Sequence, residues 1–243
     1  MSTEQSIPLL RVRDLAVSYR SNGSEKLVLK KIDLEVGTGE TVGVIGESGC
    51  GKTTLALALL RLLPPNASVL DGRITFGTQD LLELDRDQLN QLRGRKIGFI
   101  FQEPLLALNP LMRIEAQLCE GMRHHLRLSK KGARARAITL LERVGITDGP
   151  RCVEAYPHQL SGGMRQRVLI ASALSCEPKF LICDEPSSSL DRPTQLKLME
   201  TMAQLKRSRD LSILLISHDL DLISGIADRT LLIEAGTCRE WVG

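Results

Sequence analysis

Aromatic residues and long apolar runs are scarce in this chain of 243 residues. Phe, Trp and Tyr make up 3% of it, so rings on which single-stranded nucleic acid could stack are few. The longest apolar runs, such as 55–60, fall far short of the roughly 18 residues that a membrane-spanning helix needs. The N-terminal residues are polar, with no apolar signal segment behind them. We therefore expect a chain that stays in the cytoplasm.

A strong net charge and paired cysteines are also lacking. Lys plus Arg is 32 and Asp plus Glu is 29, which leaves a net charge of +3, too small to indicate a nucleic-acid partner. The six cysteines form no C-x-x-C pair, so neither a zinc site nor a redox motif is predicted, and free thiols are expected. The 42% hydrophobic and 25% charged fractions are those of an ordinary globular chain that can bury a core.

The hydrophobic pattern predicts strands and helices that alternate in the second half, which is typical of a parallel α/β sheet. The middle of the chain, about 104–159, shows helices and no clear strand, and we interpret it as a helical subdomain inserted into the α/β core. Strands are predicted at 10–18, 27–36, 41–45, 97–101, 180–183, 211–216 and, as the last strand, 230–233; helices are predicted at 52–63, 113–128, 134–144, 164–174, 194–207 and 220–227.

A glycine-rich loop follows the short apolar run 41–45. Glycines let backbone N–H groups curl around phosphate oxygens, and the dipole of the following helix adds to the attraction. Lys52 is expected to reach the β- and γ-phosphates, and the Thr53 hydroxyl to bind Mg²⁺. A chance glycine turn is the alternative, but the strand–loop–helix context disfavours it. The loop reads Gly46-Glu47-Ser48-Gly49-Cys50-Gly51-Lys52-Thr53 and matches G-x-x-x-x-G-K-[ST]; Cys50 is interpreted as a small side chain that fits it.

A pair of carboxylates ends the apolar run 180–183. Asp184 is placed to hold Mg²⁺ at the end of a buried strand, and Glu185 could polarise the attacking water. The structural alternative is that these carboxylates only cap the turn after the strand. A GTPase would also need Asn-Lys-x-Asp, which the sequence does not contain.

A second glycine motif, Leu160-Ser161-Gly162-Gly163-Met164, lies shortly before Asp184 at the start of a predicted helix. Ser161 and the glycines would offer a hydroxyl and bare N–H groups, which makes a second anion site. One chain cannot usefully hold one γ-phosphate with two such loops at opposite ends. Two chains arranged head to tail can.

With these motifs, the chain resembles the ATP-binding subunits of ABC transporters. Leu160–Gly163 resembles the signature motif of that family, with Met164 where the family form usually has Gln. Gln102 resembles the Q-loop glutamine, Ser189-Leu190-Asp191 the D-loop, and His218 the switch histidine. Tyr19 stands where the family places a ring against adenine, with a plain strand-end aromatic as the alternative.

The resemblance implies a fold, cofactors and a set of site residues. The fold is a P-loop NTPase (RecA-like) core of the α/β class, with an antiparallel β edge and an inserted helical subdomain. Residues 1–243 would form a single ABC ATPase domain, with 1–103 and 165–243 as the nucleotide-binding core and 104–164 as the helical subdomain that carries the signature motif. The implied cofactors are ATP and Mg²⁺. The catalytic residues would be Glu185, His218 and Gln102; the nucleotide would be bound by Tyr19, Gly46, Glu47, Ser48, Gly49, Cys50, Gly51, Lys52, Thr53, Thr54, Ser161, Gly162 and Gly163; the metal would be held by Thr53, Gln102 and Asp184.

Several short sequence segments resemble the peptide and nickel importer branch of the family. Phe101-Gln102-Glu103-Pro104, Leu108-Asn109-Pro110 and the run 156–167 carry this resemblance. It implies that this chain sits peripherally at the cytoplasmic face of the inner membrane. The implied partners are a second ATPase subunit, expected to be a different chain, two transmembrane permeases and a periplasmic or lipid-anchored binding protein, with no nucleic acid.

Two questions stay open at this point. Peptide members often carry a C-terminal extension, and because none follows here we expect nickel or metal-chelate import somewhat more than import of di- or oligopeptides. A regulatory or repair ATPase of the same type is the alternative function.

Overall fold

The computed structural model describes residues 8–21, 23–187, 190–209 and 211–242. The chain divides into two compact units, Met1–Leu89 with Asp210–Gly243, and Asn90–Arg209. The strands are β1 (Leu10–Ser21), β2 (Ser24–Val36), β3 (Thr41–Ile45), β4 (Ala67–Phe76), β5 (Gln79–Asp80), β6 (Ile97–Ile100), β7 (Phe180–Asp184), β8 (Ser212–Ile216), β9 (Arg229–Glu234) and β10 (Thr237–Glu240). The helices are α1 (Lys52–Leu59), α2 (Arg86–Leu92), α3 (Pro104–Ala107), α4 (Ile114–His125), α5 (Lys130–Arg143), α6 (Gly149–Glu154), α7 (Gly162–Leu174), α8 (Arg192–Arg209) and α9 (Leu220–Ser224), with a 3₁₀ turn at Pro157–Gln159.

The first unit contains a mixed sheet in the order β5-β4-β1-β2-β10-β9-β3-β8. Its β1, β2, β4 and β5 pair antiparallel, whereas β3 pairs parallel with both β8 and β9. All five residues of β3 and all five of β8 are buried, as expected of strands covered on both faces. Gly43 in β3 is required by packing, since an added Cβ would lie 2.4 Å from Cγ2 of Ile223 in α9.

Strand β4 is an element that the sequence pattern did not reveal. Its Asp71-Gly72 pair looks like a turn, but Gly72 has φ +105° and forms part of an irregularity in the pairing with β1. An added Cβ on Gly72 would lie 2.6 Å from Cα of Leu15, so only glycine fits at this close approach. Opposite it, Asp14 has φ 50°, and its N–H donates to Oδ1 of Asp33 at 3.0 Å.

The second unit packs helices α4 to α7 together with the parallel pair β6 and β7. Between residues 104 and 159 it holds helices and, in this fully described stretch, no strand, as the hydrophobic pattern predicts. Arg134 in α5 bonds to Glu115 of α4 and, at 2.7 Å, to Glu154 of α6, so one guanidinium joins three helices. Gly98 lets β6 approach α7, since an added Cβ would lie 2.6 Å from the carbonyl oxygen of Ala173.

Several predicted boundaries are wrong. Helix α4 ends at His125 and not at residue 128, α5 begins at Lys130 and not at residue 134, and α9 ends at Ser224 and not at residue 227. Helix α1 ends at Leu59 and not at residue 63, because Arg61 adopts the left-handed conformation with φ 51° that terminates a helix. Strand β9 is not the last strand of the chain, since β10 follows it after a tight turn in which Ala235 and Gly236 both have positive φ.

Candidate functional site: a nucleotide-binding loop and its companions

The phosphate loop connects β3 to α1 and depends on glycine at defined positions. Gly46, Gly49 and Gly51 have φ of 154°, 79° and 113°, a region that side chains with a Cβ rarely adopt. A Cβ on Gly46 would lie 2.4 Å from the carbonyl oxygen of Ile233, and one on Gly51 would lie 2.6 Å from Cδ2 of Leu29. A Cβ on Gly49 would meet nothing within 4 Å. The loop is therefore packed at its two ends and open in its middle.

The C-terminal end of this loop combines a buried cation with an uncapped helix. The Nζ of Lys52 donates to the carbonyl oxygens of Gly46 (2.7 Å) and Glu47 (3.0 Å), and Lys52 is 8% exposed. Helix α1 has Gly51 at its N-cap with no side-chain hydrogen bond, and no acidic residue in its first turn. Its first N–H groups are therefore left for an outside acceptor, which suits the phosphates of a nucleotide.

Tyr19 and the two threonines lie at the start of the same helix. The Oη of Tyr19 and Oγ1 of Thr54 are 3.3 Å apart, so the half-buried ring at the end of β1 reaches α1. Thr53 is exposed, and its hydroxyl is open to a ligand, while Thr54 is 8% exposed. The structure thus brings the predicted adenine contact, Tyr19, to the phosphate loop.

His218 is placed by strand register. In the parallel pair of β3 and β8, Val44 lies opposite Ile216, so Gly46 and His218 both follow two residues beyond the last paired position. The N–H of Ser217 donates to the carbonyl oxygen of Val44 at 3.1 Å, which fixes the chain just before His218. His218 is exposed and adjoins Asp219, whose Oδ1 caps α9 by accepting from Leu222 N at 3.1 Å.

The second unit repeats this arrangement with Gln102 and Glu185. In the parallel pair of β6 and β7, Ile100 lies opposite Cys183 as the last paired position. Gln102 and Glu185 each follow two residues later. Glu185 is 7% exposed and Asp184 2% exposed, whereas Gln102 is exposed. Glu185 has φ 48°, a left-handed conformation that costs a residue with a Cβ about 1 kcal/mol or more.

The signature motif forms the N-terminus of α7. Ser161 is the N-cap, and its Oγ accepts from the N–H of Met164 at 3.3 Å. A Cβ on Gly162 would meet nothing within 4 Å, and one on Gly163 would have ordinary contacts with Leu190 and Thr194. The predicted D-loop residue Ser189 lies outside the described residues.

Gln166 is a feature that the sequence did not reveal. Its side chain is 1% exposed, and neither Oε1 nor Nε2 has a hydrogen-bond partner in the described part of the chain. It lies between the charged residues Arg165 and Arg167, so composition alone does not indicate a buried side chain there. The signal that could have found Gln166 is its spacing from the buried Ile170 and Leu169 along α7.

The cysteines are free thiols in the structure, as predicted. Burial raises the pKa of Cys119, Cys176 and Cys183, and in Cys183 the negative charge of Asp184 raises it further. Burial likewise raises the pKa of Cys152 and of Cys238 to about 11. These thiols are protonated at neutral pH and suit packing, not nucleophilic chemistry.

A comparison with protein families decides the identity. The family described as ABC transporter matches residues 29–188, which include the phosphate loop and the signature motif. The chain belongs to the ABC transporter family. It is therefore an ATP-binding ATPase with the cassette fold, and the predicted fold class is confirmed.

Curated relatives of this ABC ATPase are peptide-transport subunits. It is 41% identical over 233 residues to the dipeptide transport ATP-binding protein DppD of Bacillus subtilis (strain 168), covering 96% of this chain and 70% of that protein. It is 39% identical over 241 residues to the oligopeptide transport ATP-binding protein OppD of Escherichia coli (strain K12), covering 99% of this chain and 71% of that protein. Of the Bacillus subtilis OppD it spans 65%, so slightly more than a third of that relative lies beyond the match.

A solved structure agrees with this family assignment. The cassette MJ0796, in a dimeric post-hydrolysis state bound to ADP and Pi, superposes with a TM-score of 0.86 at 26% identity, covering 96% of this chain and 99% of that one. Within the described residues, none of the helices has the length and apolarity that a membrane crossing requires.

Proposed function

We propose that this ABC ATPase is the motor subunit of an importer for di- or oligopeptides. The observation that carries the proposal is the phosphate loop, where a buried Lys52 and an uncapped helix α1 offer a cation and free N–H groups together. The peptide-transport names of the relatives support the substrate class. Residues 1–103 and 165–243 serve as the nucleotide-binding core, and 104–164 as the helical subdomain.

The roles of the site residues follow from their chemistry. The loop Gly46–Thr53, with Thr54 behind it, binds the phosphates, and Tyr19 stacks on adenine. Glu185 polarises the attacking water, and His218 holds the γ-phosphate. Loss of the Lys52 cation should abolish hydrolysis. Glu185→Gln should still bind ATP but turn it over slowly, and full turnover by that variant would contradict the assigned role.

Mg²⁺ fits the oxygen donors that the chain supplies. Thr53 offers a hydroxyl, Asp184 a buried carboxylate and Gln102 an amide oxygen, and hard oxygen ligands are the ones that Mg²⁺ prefers. No group of three His, Cys, Asp or Glu side chains among the described residues could form a metal cage by itself. This suits an ion that keeps several waters and binds with the nucleotide, where it neutralises phosphate charge.

The signature loop Ser161–Gly163 acts on the ATP of a second ATPase subunit, expected to be a different chain. Its exposed Ser161 and Gly162 support this, since the helix N-terminus is open to a partner. The first test is the solution mass of Glu185→Gln, measured by light scattering with and without ATP and Mg²⁺. A rise from 26.8 kDa to about twice that value supports head-to-tail closure with a second copy. No rise points to an obligate, different partner.

This chain lies at the cytoplasmic face of the membrane, and two transmembrane permeases and a periplasmic or lipid-anchored binding protein complete the importer. Leu105, Leu106 and Leu111 are 60%, 84% and 86% exposed, and exposed apolar side chains shortly after Gln102 would suit contact with a permease helix. The ATPase rate should therefore rise when the chain is purified with its permeases. A rate that responds to DNA and not to permeases would support the alternative, a regulatory or repair ATPase.

The imported substrate is tested by uptake into cells. A strain that carries the wild-type chain should accumulate a radiolabelled dipeptide, and one with Lys52→Ala should not. Uptake of nickel or of a metal chelate, with no effect on the dipeptide, would replace peptides with the metal class expected from the sequence.

A further inference from the structure

The loop that presents Leu111 is fixed to helix α4 by one side chain. The N–H of Asn109 donates to Oε1 of Gln117 at 2.8 Å, and Nε2 of Gln117 donates to the carbonyl oxygens of Asn109 (3.0 Å) and Met112 (2.9 Å). The Asn109 side chain in turn accepts from the N–H of Leu111 at 3.0 Å. The loop 108–113 therefore moves with α4 as one piece.

The end of this loop contacts the segment before the signature motif. The guanidinium of Arg113 lies over the ring of Tyr156, with 5.6 Å from Cζ to the ring centroid, which is cation–π geometry. The ring of Tyr156 also stacks on that of His158, with centroids 5.6 Å apart and planes 13° apart. Beside them, the N–H of Ile114 donates to the carbonyl oxygen of Ala155 at 2.9 Å.

Several backbone hydrogen bonds hold the segment from Tyr156 to Ser161. The N–H of Tyr156 donates to Oε1 of Gln159 at 2.8 Å, and the N–H of Gln159 donates back to the Tyr156 carbonyl at 3.0 Å. The N–H of Leu160 donates to the carbonyl oxygen of Pro157 at 3.2 Å, and the Leu160 side chain is 7% exposed. Ser161 then caps α7. A movement of Tyr156 is therefore expected to displace Ser161 and the signature loop as well.

We propose that Arg113 and Tyr156 are positioning residues that link the loop 108–113 to the signature loop Ser161–Gly163. The inference rests on the proposed function, in which the first loop faces a permease and the second acts on ATP held by a partner. A permease that pushes on Leu111 would move α4, and the Arg113–Tyr156 contact would carry that movement to Ser161. Neither residue is among those assigned to the nucleotide site.

The first test measures the signature segment in the chain itself. Hydrogen exchange is followed at the amides of Gln159, Leu160 and Met164 in Arg113→Ala, Tyr156→Leu and the double variant. We expect faster exchange in each single variant, and no further increase in the double variant, because both remove the same contact. Unchanged exchange in the single variants would overturn the inference, and so would effects that multiply in the double variant.

The second test separates positioning from general damage. With the chain in its complete ATPase assembly, Arg113→Ala should lower turnover about two- to five-fold, the loss expected from one cation–π contact. Binding of a fluorescent ATP analogue to the chain alone should not change, because the phosphate loop is untouched. Tyr156→Phe keeps the ring and should therefore turn over ATP as fast as the unaltered chain. The matched control is Arg143→Ala, which removes an exposed arginine at the end of α5.

These tests distinguish failure of the inference from failure of the proposed function. If the otherwise unaltered chain hydrolyses ATP and Arg113→Ala turns over equally fast, the inference is wrong and the proposed function stands. If the unaltered assembly does not hydrolyse ATP, the proposed function is wrong. In that case the exchange measurement still decides whether Arg113 holds the signature segment.

Discussion

Replacing Gln166 with methionine should stabilise the protein. The Gln166 amide is buried, and both of its polar atoms lack a partner in the described part of the chain. Methionine has nearly the same length and shape and no polar group to desolvate. The substitution Gln166→Met therefore keeps the packing of α7 and removes the unfavourable burial.

The magnitude follows from the cost of burying an amide. A buried amide without a hydrogen bond costs about 1–3 kcal/mol in protein mutational data, and the free energy of unfolding should rise by a similar amount. For a chain of this size, each kcal/mol shifts the Tm by about 2–4 °C. A rise of several degrees is thus expected.

The assay is thermal and urea unfolding of the nucleotide-free chain, with Gln117→Met as the matched control. Gln117 makes three hydrogen bonds, so the same chemical change there should lower stability by about 2–4 kcal/mol. The two variants should move the Tm in opposite directions. If Gln166→Met lowers the Tm as well, the Gln166 amide is satisfied, for instance by a buried water, and the reasoning is refuted.

Three further predictions concern other parts of the chain. Gly51→Ala should lose ATP binding, measured by a fluorescent analogue, because its Cβ would lie 2.6 Å from Leu29 at φ +113°; unchanged binding would contradict the loop geometry. Burial lowers the pKa of His125, and the charges of His124 and Arg95 lower it further, so the unfolded state binds more protons and stability is lost as the pH falls below the ordinary value of 6.5. In urea titrations, the free energy of unfolding of His125→Asn should fall less between neutral and acidic pH than that of the unaltered chain. The same pH dependence in both proteins would contradict this role of His125. Cys152, with its pKa raised to about 11, should resist iodoacetamide at pH 8 until urea exposes it, and rapid labelling of the folded chain would count against its burial.

Features of the fold that depend on local residue patterns can be predicted from the sequence. The run Thr41–Ile45 and the glycines after it specify β3, the phosphate loop and α1 together, because strand, turn and helix each have their own residue preferences. Ser161 likewise marks the start of α7, since serine is a favoured N-cap.

What depends on distant contacts could not be predicted. β4 is hard to predict because its Asp71-Gly72 pair has the composition of a turn, and the irregular pairing with β1 near Leu15 depends on residues distant in the sequence. The contact of Arg113 with Tyr156 joins residues far apart in the sequence, and no local pattern indicates it. The burial of Gln166 is set by the elements that cover α7 and not by the helix itself.

The shared register of the two parallel strand pairs sets where the chain can tolerate changes in length. In β3 and β8, a deletion of one residue would turn every side chain beyond it to the opposite face of the sheet, where it would no longer match the packing around these fully buried strands. His218 and Gly46 would then no longer lie at equivalent positions beyond the ends of the two strands. Insertions and deletions between homologues should therefore be absent from 41–46 and 212–218, and should collect in turns such as the one at Gly77, where a Cβ would meet nothing within 4 Å.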